Sequence, residues 1–458
     1  MDFAGKTISE IAAGLADIPF FASLRPQNLL REIPLFAGLP DETLRSLAED
    51  VRLMEVAAGD VVCREGEYDT SLYVMLTGQV EATARMGAAA KVELAIYGPG
   101  TFFGRTDLRS DAPNAYTVVA RERAILVSVP AEQVASLVKG SQQLAQILAY
   151  THRRRTIRYG LRMVPFFSRF SEGGLEYLGK RGILREYDRG EAIFKQGDEG
   201  DSFHLVLSGI VKVVIEGDEE KILAYLKRGA CFGEMALVKN EKRMASIVAV
   251  NPTQTLQIMK ETFDEFLAAH PDIEAQIKRT IAEREAENIE LAKDPERAER
   301  LRFMEGLIDS SEVLVIDLNR CLRCDNCIAA CRVVRGSVRL RREGERFADY
   351  VIATACRQCR DPACMLCPRG AITRDRHGEI HFGENCVGCG FCAKKCPFGN
   401  ISIIETGEDA ETGKKIRKAV KCDLCRDRAY APCVYNCPTG ALQRVSPDVF
   451  FAKVTVKK

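Results

Sequence analysis

The sequence predicts a multidomain α+β protein: two β-roll or jelly-roll barrels with flanking helices, followed by an α+β domain organised around cysteines. Three observations carry that expectation. The stretch PLFAGLPDETLRSLAEDVRLMEVAAGDVVCREGEYDTSLYVMLTGQVEA from Pro34 recurs as PFFSRFSEGGLEYLGKRGILREYDRGEAIFKQGDEGDSFHLVLSGIVKV from Pro165, and a repeat of this length points to duplicated domains. In each copy short runs of apolar residues alternate, and Gly59, Gly66 and Gly78 recur as Gly190, Gly197 and Gly209, where tight turns need positive φ. Sixteen of the eighteen cysteines fall between 321 and 437.

The 458 residues leave room for about three domains. The pattern predicts an N-terminal helical segment over 1–33, a first barrel domain over 34–162, a second over 163–285, a helical linker over 286–311 and the cysteine domain over 312–458. Helical spacing follows each barrel, at 131–162 and from 261 to about 306; the second stretch reads as a solvated connector placed to act as a lever. THRRRTIR at 151–158 reads as a solvated helix face, since no aromatics interleave it. With 65 Lys and Arg against 64 Asp and Glu, the composition points to neither nucleic acid nor membrane. No leader pattern is visible and no run reaches ~18 apolar residues, so a cytoplasmic location is expected. Thiols stay reduced there, and clustered cysteines then mean metal rather than disulfides. Cys63 and Cys231, isolated in barrel segments, are expected to be small buried hydrophobes.

In ACFGEMALVKNEKRMAS (230–246), Gly233 precedes a short helical turn whose backbone N–H groups can converge on an anion. Arg243 adds a guanidinium fork for phosphate oxygens and Glu234 an acceptor for a sugar hydroxyl, so the set points to a ribose phosphate. The stretch resembles the phosphate-binding cassette of cyclic nucleotide-binding domains, as in bacterial catabolite activators and the regulatory subunit of the cyclic-AMP-dependent kinase. That resemblance spans 34 to about 140 and 165 to about 285. It implies that Arg243 pairs with the cyclic phosphate, that Glu234 bonds the ribose 2′-hydroxyl, and that Gly233, Met235, Ala236, Ala245 and Ser246 line the cassette. Guanine-favouring members often place Thr after the arginine; Met244 stands there, which favours cyclic AMP over cyclic GMP. The alternative for Glu234 and Arg243 is an internal salt bridge in an empty barrel. In the first copy, TFFGRTDLRSDAPNAYT (101–117), Arg105 takes the glutamate position and Asn114 the arginine position. That barrel is expected to bind no cyclic nucleotide and to serve packing or dimer contact.

The clustered cysteines form four quartets: Cys321, Cys324, Cys327 and Cys331; Cys356, Cys359, Cys364 and Cys367; Cys386, Cys389, Cys392 and Cys396; and Cys422, Cys425, Cys433 and Cys437. The third is the full run C-x2-C-x2-C-x3-C-P, in which three cysteines wrap one 4Fe-4S cube and the fourth crosses to its neighbour. Zinc would predict paired knuckles and often a histidine. From Val315 to Leu442, 22 Lys and Arg stand against 15 Asp and Glu, the sign that anionic clusters call for.

This part, 312 to about 445, resembles the four-cluster electron-transfer subunits associated with dimethyl sulfoxide reductase, formate dehydrogenase and formate-dependent nitrite reductase. The resemblance implies a double two-cluster ferredoxin-like domain. By it, Cys321, Cys324 and Cys327 share a cube with Cys437, and Cys422, Cys425 and Cys433 share one with Cys331. Likewise Cys356, Cys359 and Cys364 join Cys396, and Cys386, Cys389 and Cys392 join Cys367. Two features depart from the family pattern. Arg332 rather than proline follows Cys331, and two residues rather than the usual three separate Cys364 from Cys367.

No flavin or nicotinamide glycine fingerprint and no nucleophile motif appears, so the chain reads as a carrier of single electrons rather than a catalyst. The expected partner is a catalytic or flavin-bearing oxidoreductase subunit, with cyclic nucleotide at the second barrel regulating the exchange. Barrel and helix surfaces leave room for a homodimer. Two other readings stand: a redox- or oxygen-sensing signalling protein, and a scaffold subunit with ligand-free barrels.

Overall fold

The internal repeat folds strand for strand. The computed structural model describes residues 6–7, 9–10, 26–69, 71–86, 90–106, 113–165, 167, 171–217, 220–292, 300–304, 306–308, 310, 312–359, 362–408, 413–425 and 427–453. Most of the predicted 1–33 segment and part of the 286–311 linker lie outside the described residues; Pro26–Arg31 is helical. In the first copy Arg52–Val56, Ala124–Val129, Leu72–Thr77 and Phe102–Gly104 form one antiparallel sheet in that order. Val61–Cys63, Thr117–Ala120, Val80–Met86 and Ala90–Tyr97 form the other. The second copy repeats both orders: Ile183–Tyr187, Thr253–Met259, Ser202–Ser208 and Cys231–Phe232, then Ala192–Phe194, Ser246–Ala249, Ile210–Ile215 and Lys221–Lys227.

The two sheets of each copy stay separate, so each is a β-roll and not a closed barrel. The chain crosses between sheets at Gly78 and Gly209, both at positive φ. A Cβ there would lie 2.5 Å from the Arg123 carbonyl oxygen or 2.4 Å from Thr253 Oγ1, so only glycine permits the crossing. Alternation along the strands drives the apolar residues between the sheets. In the second roll Phe203 stacks on Phe263 at 5.1 Å, and Phe167 meets Phe266 edge-on at 5.6 Å. Burial of each such ring stabilises the fold by about 1.5–3 kcal/mol.

Helices Ala131–Gly140 and Gln142–Arg162 follow the first roll; Ser141 Oγ caps the longer one by accepting from Leu144 N at 3.3 Å. Leu144 and Leu148 pack into the first roll, whereas Ile157 and Leu161 pack into the second. The helix therefore belongs to both cores. In the basic run, Arg153 and Arg154 are exposed as expected, but Arg155 stacks on Tyr97 at 5.0 Å and Phe102 at 4.9 Å. Arg158 pairs with Glu172 at 2.9 Å. After the second roll the connector is two helices, Lys260–Ala269 and Pro271–Ala292, and not one lever: Pro271 lacks the N–H that would continue the first, and starts the next.

In the cysteine domain, Arg341–Phe347, Tyr350–Thr354, Val313–Asp317 and Leu442–Val445 form an antiparallel sheet. Val313 pairs with Val445 and Ile316 with Leu442, which draws the first and last quartets together. Two hairpins, Ile372–Arg374 with Ile380–Phe382 and Ile401–Glu408 with Lys415–Lys421, stand beside the second and third quartets. Among the described residues no helix is long and apolar enough to cross a membrane.

Candidate functional site

The intact cassette begins where the strand Cys231–Phe232 ends at Gly233, φ +87°, and the short helix Glu234–Lys239 follows. A Cβ on Gly233 would lie 2.8 Å from an Arg243 guanidinium nitrogen and 2.9 Å from the Ser202 carbonyl oxygen. Arg243 is only 3% exposed. It donates to Gly233 O at 2.9 Å, Ser202 O at 2.7 Å and Asp201 Oδ1 at 3.0 Å, and the Phe194 ring covers it at 4.1 Å. Burial lowers its pKa from the ordinary arginine value, against the pull of Asp201. Its Nε has no partner among the described residues.

Glu234 is equally buried, and its Oε1 accepts from Arg284 on the helix Pro271–Ala292. Arg284 also donates to the Cys231 carbonyl at 3.1 Å. The Glu234–Arg243 salt bridge of the alternative reading is thus replaced by two separate pairs, Glu234 with Arg284 and Arg243 with Asp201. Glu234 Oε2 has no partner among the described residues. The cassette therefore holds one buried anionic acceptor and one buried cationic donor with open valences, the set that a ribose hydroxyl and a phosphate would satisfy.

Ala236 is buried and Met235, Ala245 and Gly233 are half-buried around this pair, while Met244 is exposed. Ser246 Oγ accepts from Gln196 N at 2.8 Å and donates to Glu216. Behind the cassette His204 stacks flat on Phe232 at 5.1 Å and bonds Ser202 Oγ at 3.1 Å and Thr255 Oγ1 at 3.2 Å. Burial, reinforced by Arg243, pulls its pKa down to about 3, so it is neutral.

In the first cassette, residues 107–112 lie outside the described ones. Asn114, at the arginine position, exchanges backbone bonds with the 66–67 turn: Gly66 N donates to Asn114 O at 2.9 Å, and Asn114 N to Glu67 O at 2.7 Å. Arg228, from the second roll, donates to the carbonyl of Ala115. Cys63 and Cys231 are buried, and burial pushes both thiols up to about 12.

Twelve of the clustered cysteines meet across quartets in three cavities. Cys331, Cys422, Cys425 and Cys433 line one together with Arg335 and Arg339. A second takes Cys321, Cys324, Cys327 and Cys437 with Arg323 and Arg342. A third takes Cys367, Cys386, Cys389 and Cys392 with Arg369. In the remaining group burial pushes the Cys364 thiol up to about 11, with Cys356 and Cys396 adding to it as neighbours, and Cys359 stands three residues beyond Cys356.

The four groups form a row. Cys327 and Cys437 pack in one core with Cys331, Cys422 and Cys433, so the second cavity abuts the first. Cys422, raised to about 12 chiefly by burial, has Cys356 as its neighbour. Cys364 packs with Cys386 and Cys392 in one core. Backbone N–H groups reach the sulfurs: Arg339 N to Cys331 at 3.3 Å, Ala419 N to Cys386 at 3.4 Å and Leu442 N to Cys437 at 3.5 Å. Thiols in fours, N–H donors to sulfur and lining arginines fit an anionic iron–sulfur cube.

The cyclic nucleotide-binding domain family matches residues 53–141 and 184–270, and the 4Fe-4S dicluster domain family matches 385–441. The cAMP-dependent protein kinase regulatory subunit of Yarrowia lipolytica is 29% identical over 234 residues, 51% of this chain and 58% of that protein. The electron transport protein HydN of Escherichia coli K12 is 35% identical over 149 residues, 28% of this chain and 85% of that protein. The chain carries two cyclic nucleotide-binding domains ahead of a 4Fe-4S region that belongs with the HydN-like electron transport proteins. This fused protein spans 58% of the length of its Yarrowia relative. Among solved structures, the regulatory domain of Toxoplasma gondii PKA with cAMP aligns at 21% identity and a TM-score of 0.27, covering 56% of this chain and 95% of that one.

Three residues escaped sequence reasoning: Asp201, Arg284 and Arg228. Their partners lie 42, 50 and 113 residues away along the chain, so no local spacing announces them.

Proposed function

We propose that this protein is an electron-transfer subunit that passes single electrons along four 4Fe-4S clusters to a catalytic or flavin-bearing oxidoreductase subunit, under control of cyclic AMP at the second cassette. The observation that carries the reading is the row of cysteine groups. Its end groups contain the exposed Cys324 and Cys389, while no cysteine of the two groups between them is exposed. A wire needs accessible ends and an insulated middle. When bound, the clusters supply one-electron transfer. The chain's part is to hold them by thiolate, donate backbone N–H to sulfur and offset charge with arginine.

The ligand sets follow the cross-quartet pairing: Cys321, Cys324, Cys327 with Cys437; Cys422, Cys425, Cys433 with Cys331; Cys356, Cys359, Cys364 with Cys396; Cys386, Cys389, Cys392 with Cys367. At the cassette, Arg243 Nε and Glu234 Oε2 are the open valences for phosphate and ribose, with Gly233, Met235, Ala236, Ala245 and Ser246 around them. The domain limits proposed are 34–162, 163–285 and 312–458. Regulation would run through Arg284, because a ligand that draws Glu234 toward itself changes the seat of the helix Pro271–Ala292 and must favour one helix position to act at all.

Anaerobic purification with iron and sulfide analysis tests the wire; four clusters per chain are expected, and zinc with little iron overturns it. Calorimetric titration with cyclic AMP and cyclic GMP tests the sensor. Cyclic AMP binding that disappears in Arg243→Ala is expected, and no binding to the wild type overturns it.

A further inference from the structure

The first cassette has lost its arginine, yet it sits between the nucleotide-binding roll and the cysteine domain. On one side Arg228 reaches from the second roll to the Ala115 carbonyl, five residues ahead of Gly233 in the chain. Asn114, next to Ala115, holds the Gly66–Glu67 turn by the two backbone bonds described above. That turn then meets the loop of the Ile372–Arg374/Ile380–Phe382 hairpin. Tyr68 N donates to Arg376 O at 2.6 Å, and Arg376 pairs with Glu67 at 3.1 Å. The Arg374 guanidinium lies 4.3 Å over the Tyr68 ring and donates to the Cys359 carbonyl at 3.1 Å. Gly378, at φ +85°, closes the contact: a Cβ there would lie 2.7 Å from the same ring.

We propose that the degenerate cassette has become a clamp on the iron–sulfur domain, in which Tyr68 fixes Arg374 beside Cys359 and so raises the midpoint potential of the cluster held by Cys356, Cys359, Cys364 and Cys396. The inference rests on the ligand reading above. Tyr68 is a positioning residue; the acting group is the guanidinium. A reduced cluster carries one more negative charge than the oxidised one, so a cation held beside it favours reduction. Without the ring, Arg374 keeps its bond to the Cys359 carbonyl but loses the face that shields it, and water then screens its charge. The clamp also explains why a roll with Arg105 and Asn114 at its ligand positions is retained: its service is to the neighbouring domain.

The test uses the full chain, purified anaerobically with its clusters, in a redox titration followed by electron paramagnetic resonance. Cys364→Ala identifies the signal of the cluster concerned. Tyr68→Ala is expected to lower the midpoint potential of that cluster and leave the other three in place; Tyr68→Phe, which keeps the ring, is expected to match wild type. Arg374→Gln should lower the same potential, and it serves if Tyr68→Ala does not fold. Unmoved potentials in Tyr68→Ala or Arg374→Gln, with four clusters present, overturn the clamp alone. A chain that assembles no cluster on those four cysteines sinks the ligand reading and the clamp with it. The measurement needs no nucleotide, so it is decided independently of the sensor.

Discussion

Arg284, on the helix Pro271–Ala292, is ion-paired to Glu234 of the cassette. The carboxylate is 3% exposed, so the pair neutralises a charge that could not stand alone there. Removing the arginine leaves Glu234 buried without its cation. Arg284→Ala is expected to destabilise the second roll by about 2–3 kcal/mol, less than a fully buried pair would lose because Arg284 is partly exposed. Adding Glu234→Gln to Arg284→Ala should recover much of this, and a double-mutant cycle by chemical denaturation measures it. Additive effects would mean that the two residues do not interact.

Gly233→Ala is expected to disable the cassette without touching a charged group. The new Cβ meets both Arg243 and the Ser202 carbonyl at under 3 Å, at a φ that alanine resists. A loss of about 1–3 kcal/mol is expected, together with loss of the thermal shift that the proposed cyclic AMP binding would give the wild type. A variant that keeps both stability and the nucleotide shift would contradict the geometry.

Single cysteine changes should group by cavity and not by sequence quartet. Cys331→Ser and Cys433→Ser are expected to lose the same resonance signal, and Cys324→Ser and Cys437→Ser another, each with a lower iron content. Signals that group by quartet would reject the crossed pairing.

Acid should weaken the second roll through His204. In the unfolded chain this imidazole takes a proton near pH 6.5, while the native one stays neutral to about 3. The unfolded state therefore binds the extra proton first, and stability falls as pH drops below 6.5. Between pH 6.5 and 5 the expected loss is about 2 kcal/mol. His204→Gln should flatten that part of the stability profile; an unchanged slope would rule out His204 as its source.

Much of this architecture was legible in the sequence because its signals are local. Strand alternation, turn glycines such as Gly78 and Gly209, the Gly233–Glu234–Arg243 set and the cysteine spacings are each confined to a few residues. Turn and strand preferences act over that range, and so do the geometric limits on wrapping a metal. The sequence alone therefore determined the repeat, the difference between its two cassettes and the presence of thiol quartets.

Tertiary structure decided which groups meet across the chain. It separated Glu234 from Arg243 and gave them to Arg284 and Asp201, broke the expected lever at Pro271, left the rolls unclosed and shared the helix Gln142–Arg162 between two cores. It also set Tyr68 against Arg374, more than three hundred residues later. Such contacts depend on how sheets and helices pack, and a buried charge takes whichever partner the packed backbone brings within reach.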